Sequence, residues 1–534
     1  MEAVSNGTSN DSLEAMASPF MVSPLMLALH MCILVISVLF VKRLYFHSLS
    51  KYPGPWYHAV TELPVIVSLC GGRQFAYYKK LHEKYGPVVR VAPNELSFTT
   101  PQAMEDIFGY GNKKGMQTTE KDSRFSLSTK MQAPYGLINA PKDEHARLRR
   151  GLAAVFTTSA LIQQEVIIQS HVDELIAAFS SACDSADQGT AVIDMGTWGN
   201  FFAFDVIGSL TFGKPFGCLK SGGKENFTWA RSLREIVTMG TYEQAASRLV
   251  GLNSILQPWM VWLLADKSAY GSRLQTYGKT FKAINDRVSM GVKEDHKDFV
   301  YHILKNNENR HLLSEAEIQL NLAGFIIAGG ETVGLTLTLW SYCMGTHREE
   351  YFKLRDLIRG TFAKAEDIKW TALKDMPYLN AVLRESWRMP IFGTVQRLRV
   401  VPESGMPVDG HELPGGTVVA VAEYAAMHSP DNFRDPYVFR PDRWLNTNPE
   451  TVDNLGLSRP FSYGPRDCIG KNLAGIEARL AIAQIIWHFD LDIEPIDNGG
   501  PNWPWNKEDD FKHVKAVAGP IFSPLWVKLT RVVR

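Results

Sequence analysis

Cys468 stands in the run Phe461-Ser462-Tyr463-Gly464-Pro465-Arg466-Asp467-Cys468-Ile469-Gly470-Lys471-Asn472-Leu473-Ala474. Gly464-Pro465 permits a tight turn before the cysteine. Arg466 offers a fixed positive charge, and Gly470 lets the backbone approach something flat and large. Helical patterning starts just after the cysteine, so backbone N–H groups and the helix dipole favour a thiolate there. A thiolate held in a loop at a helix start is a good soft metal ligand. By itself a lone cysteine is more often a buried structural thiol; this setting argues for a ligand. None of the six cysteines (Cys32, Cys70, Cys183, Cys218, Cys343, Cys468) forms a CxxC pair, which excludes a zinc ribbon or a thioredoxin-type site. Their scatter suits a reducing compartment.

A second group of chemistry-bearing residues lies within 314–346. Ser314 followed by Glu317 is a capping box and marks a helix start. Apolar residues then run almost unbroken to Trp340, a helix of roughly 45 Å at ~1.5 Å per residue. Asn321, Gly329-Gly330 and Glu331 interrupt the run, and a central carboxylate is costly in lipid. The reading is a helix buried through the core and opened at the glycine pair beside a cavity, not a membrane span. Helical periodicity also covers 157–182, 279–305 and 470–489. Strand-like pieces are short: Val88–Ala92, Glu95–Phe98, Val400-Val401 and 417–421. The expected fold is mainly α with a small β portion, in one body over 61–534.

The chain has 534 residues with 56 basic against 56 acidic side chains, so nothing draws it generally to nucleic acid. An apolar fraction of 45% excludes disorder through most of the length. Residues 1–20 form a polar leader, and 21–41 are apolar, with no charged side chain between Glu14 and Lys42. A run of about 20 apolar residues spans a bilayer as a helix. The acidic leader and the basic flank Lys42-Arg43 favour a retained transmembrane anchor over a cleaved signal peptide. The positive-inside rule puts 42 onward in the cytosol and the leader in the lumen. There Asn6 and Asn10 are the acceptors of two sequons. Residues 42–60, basic and rich in Pro and Gly, are expected as a hinge. The stretch 252–265 (LNSILQPWMVWLLA) is either a membrane-dipping element or packed core.

The spacing F-x-x-G-x-R-x-C-x-G around Cys468 resembles the haem-binding loop of the cytochrome P-450 monooxygenases. The resemblance implies a cytochrome P-450 fold behind a single N-terminal transmembrane helix. It implies haem b with Cys468 as axial thiolate, and Phe461, Arg466 and Gly470 around the cofactor. Glu385-Ser386-Trp387-Arg388 resembles the family's E-x-x-R pair. Phe439-Arg440-Pro441-Asp442-Arg443-Trp444 is similar to its later P-E-R-F segment, with Asp442 and Trp444 as departures. Glu385, Arg388 and Arg443 would then form a structural triad. Ala328-Gly329-Gly330-Glu331-Thr332 resembles the A-G-x-[DE]-T of the family's central helix. Dioxygen must receive two protons before its O–O bond breaks, and Thr332, fed through Glu331 and water, would supply them. The bland alternative is a helix kink with a threonine back-bond. Asp143 to Arg150 resembles the W-x-x-x-R helix with His145 in place of tryptophan. His145, Arg149 and Arg399 are the expected propionate ligands, with Arg397 the competitor of Arg399.

The resemblance also places a lipophilic substrate opposite Cys468, lined by Phe325, Ala328, Phe392, Val395, Ile521 and Phe522. No complete GxGxxG occurs, so electrons would come from a separate NADPH–cytochrome P-450 reductase on the same endoplasmic reticulum membrane. Cytochrome b5 is a second candidate donor, and Arg147, Arg150, Lys471 and Arg479 are basic residues that would attract an acidic partner face. The segments 51–55, 81–90 and 93–98 are similar to a fungal branch that includes isotrichodermin-type (trichothecene) hydroxylases. That branch implies a polyketide, terpenoid or alkaloid intermediate as substrate. The leading reading is a membrane-anchored monooxygenase. The alternatives are an isomerase, dehydratase or oxidative cyclase on the same fold and, from another class, a non-catalytic haem-binding protein.

Overall fold

The computed structural model describes residues 24–111, 118–125, 134–224, 227–265, 268–293, 295, 297–308, 310–389, 396–445, 453–496, 500–502, 505, 514–517 and 519–533. The principal helices are α1 (Pro24–Val41), α2 (Leu63–Cys70), α3 (Lys142–Leu152), α4 (Thr158–Asp184), α5 (Met195–Phe212) and α6 (Phe227–Val250). They continue as α7 (Gln257–Leu264), α8 (Ser268–Val288), α9 (Phe299–Asn307), α10 (Glu315–Thr346), α11 (Pro377–Arg388) and α12 (Lys471–His488). The main sheet has β1 (Val88–Ala92), β2 (Glu95–Phe98), β3 (Glu120–Lys121), β4 (Arg399–Val400) and β5 (Val418–Val421), in the order β1-β2-β5-β4-β3. Only β2 and β5 run parallel. A three-stranded sheet joins Thr190–Asp194, Trp526–Arg531 and Phe489–Ile493 near the C-terminus.

α10 is the centre of the body. Its start is the expected capping box: Ser314 Oγ accepts the Glu317 N–H, and the Glu317 carboxylate accepts the Ser314 N–H at 2.9 Å. The helix then continues through Gly329-Gly330, so the expected opening at the glycines is not there. The glycines face α5 instead. A Cβ on Gly330 would lie 2.3 Å from Phe204 Cε1, and one on Gly334 would lie 2.7 Å from the Asn200 backbone nitrogen. Across the crossing, a Cβ on Gly199 would lie 3.0 Å from Gly334 Cα. Small residues on both helices let the backbones touch, which a side chain of any size would prevent. The opposite stripe carries Ala328 and Thr332, four apart and both exposed, while the residues between them are buried or half-buried.

The expected helix over 279–305 is broken in two. α8 ends at Val288, Gly291 takes a left-handed φ of +68°, and Asp298 caps α9 by accepting the Tyr301 N–H at 2.9 Å. Arg287 closes the turn on Asp298 at 2.6 Å. α1 leads through a short π-type turn, and Leu25–Phe46 is a candidate transmembrane span with no part buried against the body. The stretch expected as a hinge packs along β1: Leu49 and Tyr52 are buried, and the Arg90 N–H donates to Pro53 O at 2.8 Å. α7 divides the two readings of 252–265 between its faces. Val261 and Ala265 pack on Met239 and Ala246 of α6, while Ile255, Leu256, Trp259, Trp262 and Leu263 are exposed.

Gly330→Ala and Gly334→Ala should each cost about 1–3 kcal/mol through overpacking at the α5–α10 crossing. Gly324→Ala, where a Cβ would meet nothing within 4 Å, should be neutral or slightly stabilising. Thermal unfolding followed by circular dichroism compares them; equal melting temperatures for all three variants would show that close backbone contact does not set the crossing.

Candidate active site

The cysteine loop is held by its own backbone. The Cys468 N–H donates to Phe461 O at 2.8 Å, and the Asp467 N–H to Gly464 O at 3.1 Å. Gly464 has φ +78°, and a Cβ there would lie 1.8 Å from Phe108 O, so only glycine fits. Gly470 differs: a Cβ would meet only the Phe156 ring, at an ordinary 3.6 Å. The fold does not demand a glycine at 470, which leaves room for a group beyond the protein. Cys468 is exposed to a cavity of about 240 Å³ that also touches Phe461, Ser462, Arg466, Arg397, Arg399 and Lys121.

α12 does begin just beyond the loop, at Lys471, but it does not make the thiol acidic unaided. Burial pushes the Cys468 thiol up and Asp467 adds to this; the Gly470 N–H, Arg149 and Lys471 pull the other way and are outweighed. A positive charge at Sγ, as a bound metal ion would supply, would favour the thiolate here.

The rest of the cavity rim is cationic. β3 and β4 pair antiparallel with Lys121 directly opposite Arg399. Like charges so placed are destabilising without a counter-charge. Arg399 is buried over the Phe108 ring, and among the described residues its Nε and Nη1 have no hydrogen-bond partner. Burial, then Arg466 and Arg397, draw its guanidinium down to about 9. Arg397, its competitor, is paired with buried Glu423, whose carboxyl burial lifts to about 7. Arg466 donates to Ala140 O at 2.9 Å and to Glu120 at 3.2 Å. His145, on α3, is buried; desolvation and the cations Arg466, Lys121, Arg149 and Arg399 draw it down to about 4, so it is neutral at pH 7. It shares a larger cavity of about 580 Å³ with Arg149, Arg399 and Arg466. Arg149 itself is spent on the loop, donating to Asp467 O at 2.7 Å and pairing with Asp467 Oδ1 at 2.5 Å. A flat group with anionic carboxylates fits this donor set: unsatisfied buried guanidinium N–H groups, a neutral imidazole, and a sulfur facing open space.

Thr332 Oγ1 donates to Ala328 O at 3.0 Å, the back-bond foreseen as the bland alternative; Glu331 is half-buried beside it. Neither is among the residues that line the two cavities holding Cys468 and the cations. One turn on, Thr336 Oγ1 accepts the Trp387 indole N–H at 3.1 Å, and the Trp387 ring meets Phe461 edge-on at 5.0 Å. Thus α10 and the cysteine loop are braced through α11. Of the expected pocket residues, Ala328 is exposed with Thr332. Phe325 packs edge-on against Phe156 and Phe299 at 5.5 and 5.8 Å, and Phe522 stacks on Trp505 at 5.0 Å. Phe392, Val395 and the Ile521 side chain lie outside the described residues.

Glu385 and Arg388 are fully buried and doubly bonded, at 2.7 and 2.9 Å. Arg443 Nε reaches the same carboxylate at 2.9 Å, and the Trp444 indole N–H donates to it at 2.9 Å. The departure Trp444 therefore supplies a bond of its own, and Asp442 turns outward to Lys353 at 3.2 Å. Asp453 completes the cluster by accepting from Arg443 Nη1 at 2.8 Å. Asp453, Asp467 and Lys121 escaped sequence reasoning because no local spacing marks them.

Residues 53–506 match the profile of the family described as Cytochrome P-450. Curated relatives include the cytochrome P-450 monooxygenase aba2 of Botryotinia fuckeliana, 40% identical over 493 residues and covered to 92% in both chains. ABA2 of Pyricularia oryzae is 40% identical, covering 91% of this chain and 92% of the relative. The averantin hydroxylase of Dothistroma septosporum is 32% identical, covering 91% and 87%.

Glu385→Gln keeps the shape and removes the charge that two buried guanidiniums share, at an expected cost of about 3–5 kcal/mol in urea unfolding at neutral pH. Burial alone would raise the Glu385 carboxyl, but Arg388 and Arg443 hold it below its ordinary value. A depressed carboxyl contributes stability above the ordinary range and loses it as pH falls through the folded value. The gap between wild type and Glu385→Gln should therefore be widest at neutral pH and narrow in acid. A gap independent of pH would contradict an ionised Glu385.

Proposed function

The chain belongs to the cytochrome P-450 family, and from that premise we propose that it is a membrane-anchored haem-thiolate monooxygenase. It hydroxylates or otherwise oxidises a lipophilic secondary metabolite, a polyketide, terpenoid or alkaloid intermediate, using O2 and electrons from NADPH through a separate reductase. The observation that carries the reading is the Cys468 sulfur opening into a cavity shared with a buried arginine, two of whose nitrogens have no hydrogen-bond partner among the described residues. A relative named as a hydroxylase supports hydroxylation. Kinship with isotrichodermin-type hydroxylases rests on the 51–55, 81–90 and 93–98 segments alone.

When bound, haem b supplies the binding and activation of dioxygen. Cys468 is its thiolate ligand, and Gly470 leaves the backbone clear of the ring. Arg399, Arg466 and neutral His145 donate to the propionates, while Arg149 holds the loop through Asp467. Thr332 Oγ1, which donates to Ala328 O in this structure, would turn toward substrate dioxygen and relay protons that reach it from water through Glu331. Ala328 leaves room beside it for an apolar substrate. Glu385, Arg388 and Arg443 lock the chain beneath the loop.

α1 anchors the protein in the endoplasmic reticulum membrane as a single pass, with 1–20 lumenal and the body cytosolic. The leader, with Asn6 and Asn10, lies outside the described residues. The exposed tryptophans of α7 rest on the same membrane. Electrons enter at a cleft of about 630 Å³ on the outer side of the cysteine loop, bordered by Arg384, Arg459 and Lys471. Of the basic residues expected to draw the reductase, Lys471 borders this cleft and pairs with Asp467. Arg147 is committed to Glu144 and Glu317, and Arg479 to Asn380 and Gly475.

Wild type should give the thiolate signature in a reduced carbon-monoxide difference spectrum, and Cys468→Ala should lose it. Profiling the metabolite that accumulates on gene deletion identifies the substrate. With that substrate, Thr332→Ala should lower product formed per NADPH by roughly tenfold or more while reductase still reduces the protein. Turnover with a hydroperoxide and none with reductase would replace the proposal with an isomerase or dehydratase. No turnover with either would leave a haem-binding protein.

A further inference from the structure

α1 has 18 residues and ends at Val41. At ~1.5 Å per residue it rises about 27 Å, close to the ~30 Å of a bilayer's hydrocarbon core. Lys42 and Arg43 follow at once in the short π-type turn, and both are exposed, so they stand at the edge of that core. Tyr45 and Phe46 come next and are exposed as well. Exposed Trp56 meets Phe40 of α1 at 5.9 Å. Aromatic rings of this kind sit at headgroup level.

Arg90 of β1 reaches the same place from the body. It is buried, and its Nη2 donates to Pro93 O at 2.8 Å, Arg43 O at 3.1 Å and Ala59 O at 3.5 Å. Its Nε is buried without a partner among the described residues. Burial, then Arg43, draw this guanidinium down to about 10. His47, half-buried, is drawn down by burial and then by Arg90, Arg43 and Lys42. Every charge that acts on these two groups is therefore positive. Among the described ion pairs none includes Lys42, Arg43, His47 or Arg90. The first carboxylate after the anchor, Glu62, is taken by Arg248 at 2.5 Å and lies 3.6 Å from Arg124. A cluster of one sign at the foot of a membrane helix gains only beside an anionic surface.

We propose that Lys42, Arg43 and His47, backed by Arg90, bind the headgroup of an anionic phospholipid in the cytosolic leaflet. The ligand is a lipid and not a free anion, because the exposed cations stand where a membrane span ends and headgroup phosphates are concentrated. Lys42 and Arg43 touch the headgroup. Arg90 acts from beneath, by its charge and by clasping the Arg43 backbone to Ala59 and Pro93, so a lipid held at Arg43 steadies the joint between α1 and the body. The inference rests on the reading of α1 as a retained anchor and not on the haem.

The full-length protein is placed in nanodiscs of equimolar phosphatidylserine and phosphatidylcholine, and the lipids it retains are counted by native mass spectrometry. One basic residue at a lipid surface is worth roughly fivefold in affinity. Wild type should retain phosphatidylserine over phosphatidylcholine by about fivefold or more. Arg43→Gln should lower that ratio about fivefold, while Arg43→Lys stays within about twofold. Lys42 and Lys51 remain in both variants to orient α1. A second measurement needs no variant: photoactivatable phosphatidylserine should crosslink to wild type within 42–47, and excess inorganic phosphate should not reduce the yield. Equal retention of the two lipids by wild type, an unchanged ratio in Arg43→Gln, or crosslinks spread evenly along 24–60 overturns the inference. Loss of the crosslink to inorganic phosphate overturns it in favour of a free anion. Release of wild type from microsomes by alkaline carbonate overturns the anchor reading itself.

Discussion

Uncompensated positive charge beside a single sulfur is the constraint on which the site depends. Arg399, Arg466 and Lys121 crowd one rim of the Cys468 cavity, and only exposed Glu120 offsets any of them among the described ion pairs. Folding alone gains nothing from that arrangement, because desolvation and mutual repulsion both act against it. A bound anionic group in the cavity would offset both costs. The surrounding structure reads as the means of holding the rim in place before that group arrives. Phe108 is the ledge beneath both Arg397 and Arg399, and its carbonyl lies so close to Gly464 that the loop cannot slide. Asp467 ties the loop to α3 through Arg149 and to α12 through Lys471.

Features written in adjacent residues were legible in the sequence. The Ser314–Glu317 box, the strands Val88–Ala92 and Glu95–Phe98, and the i,i+3 pair of Glu385 and Arg388 all depend on spacing of a few residues. What depended on partners far along the chain was not. Gly329-Gly330 looked like an opening because nothing local says that Phe204 and Ile207 press on it from α5. The 279–305 periodicity hid a break because apolar spacing continues across it, whereas the Arg287–Asp298 turn that causes it is a polar event. Arg149 was expected as a propionate ligand by its place four residues after His145, and its bonds to Asp467, more than three hundred residues on, were not legible. Lys121 was invisible because its meaning lies in strand register, which two residues cannot announce.

The membrane side shows the same division between pattern and context. Hydropathy identifies α1, and it flags α10 equally well as long and apolar enough to cross a bilayer. Packing separates them: α10 is over half buried against the rest of the chain, while α1 is not buried at all. α7 is the intermediate case. One face is core and the other presents Trp259 and Trp262, a combination that composition alone reads as either and only a structure reads as both.

Two arginine clusters in this fold allow structural charge to be told from functional charge. Around Glu385, two guanidiniums meet two carboxylates, those of Glu385 and Asp453. Every arm of Arg388 and Arg443 is also bonded to a side chain or a carbonyl. That cluster is complete within the protein, and its free energy is spent on holding α11 to the segment beneath the cysteine loop. Around Arg399 the same residue type is as deeply buried, yet two of its nitrogens have no acceptor among the described residues and its strand partner is another cation. Burial and residue type do not distinguish the two, and neither does a sequence motif, since arginines occur in both. Charge balance does: a buried cluster that sums to zero has done its work when the chain folds, whereas one that does not is waiting for something the chain does not encode.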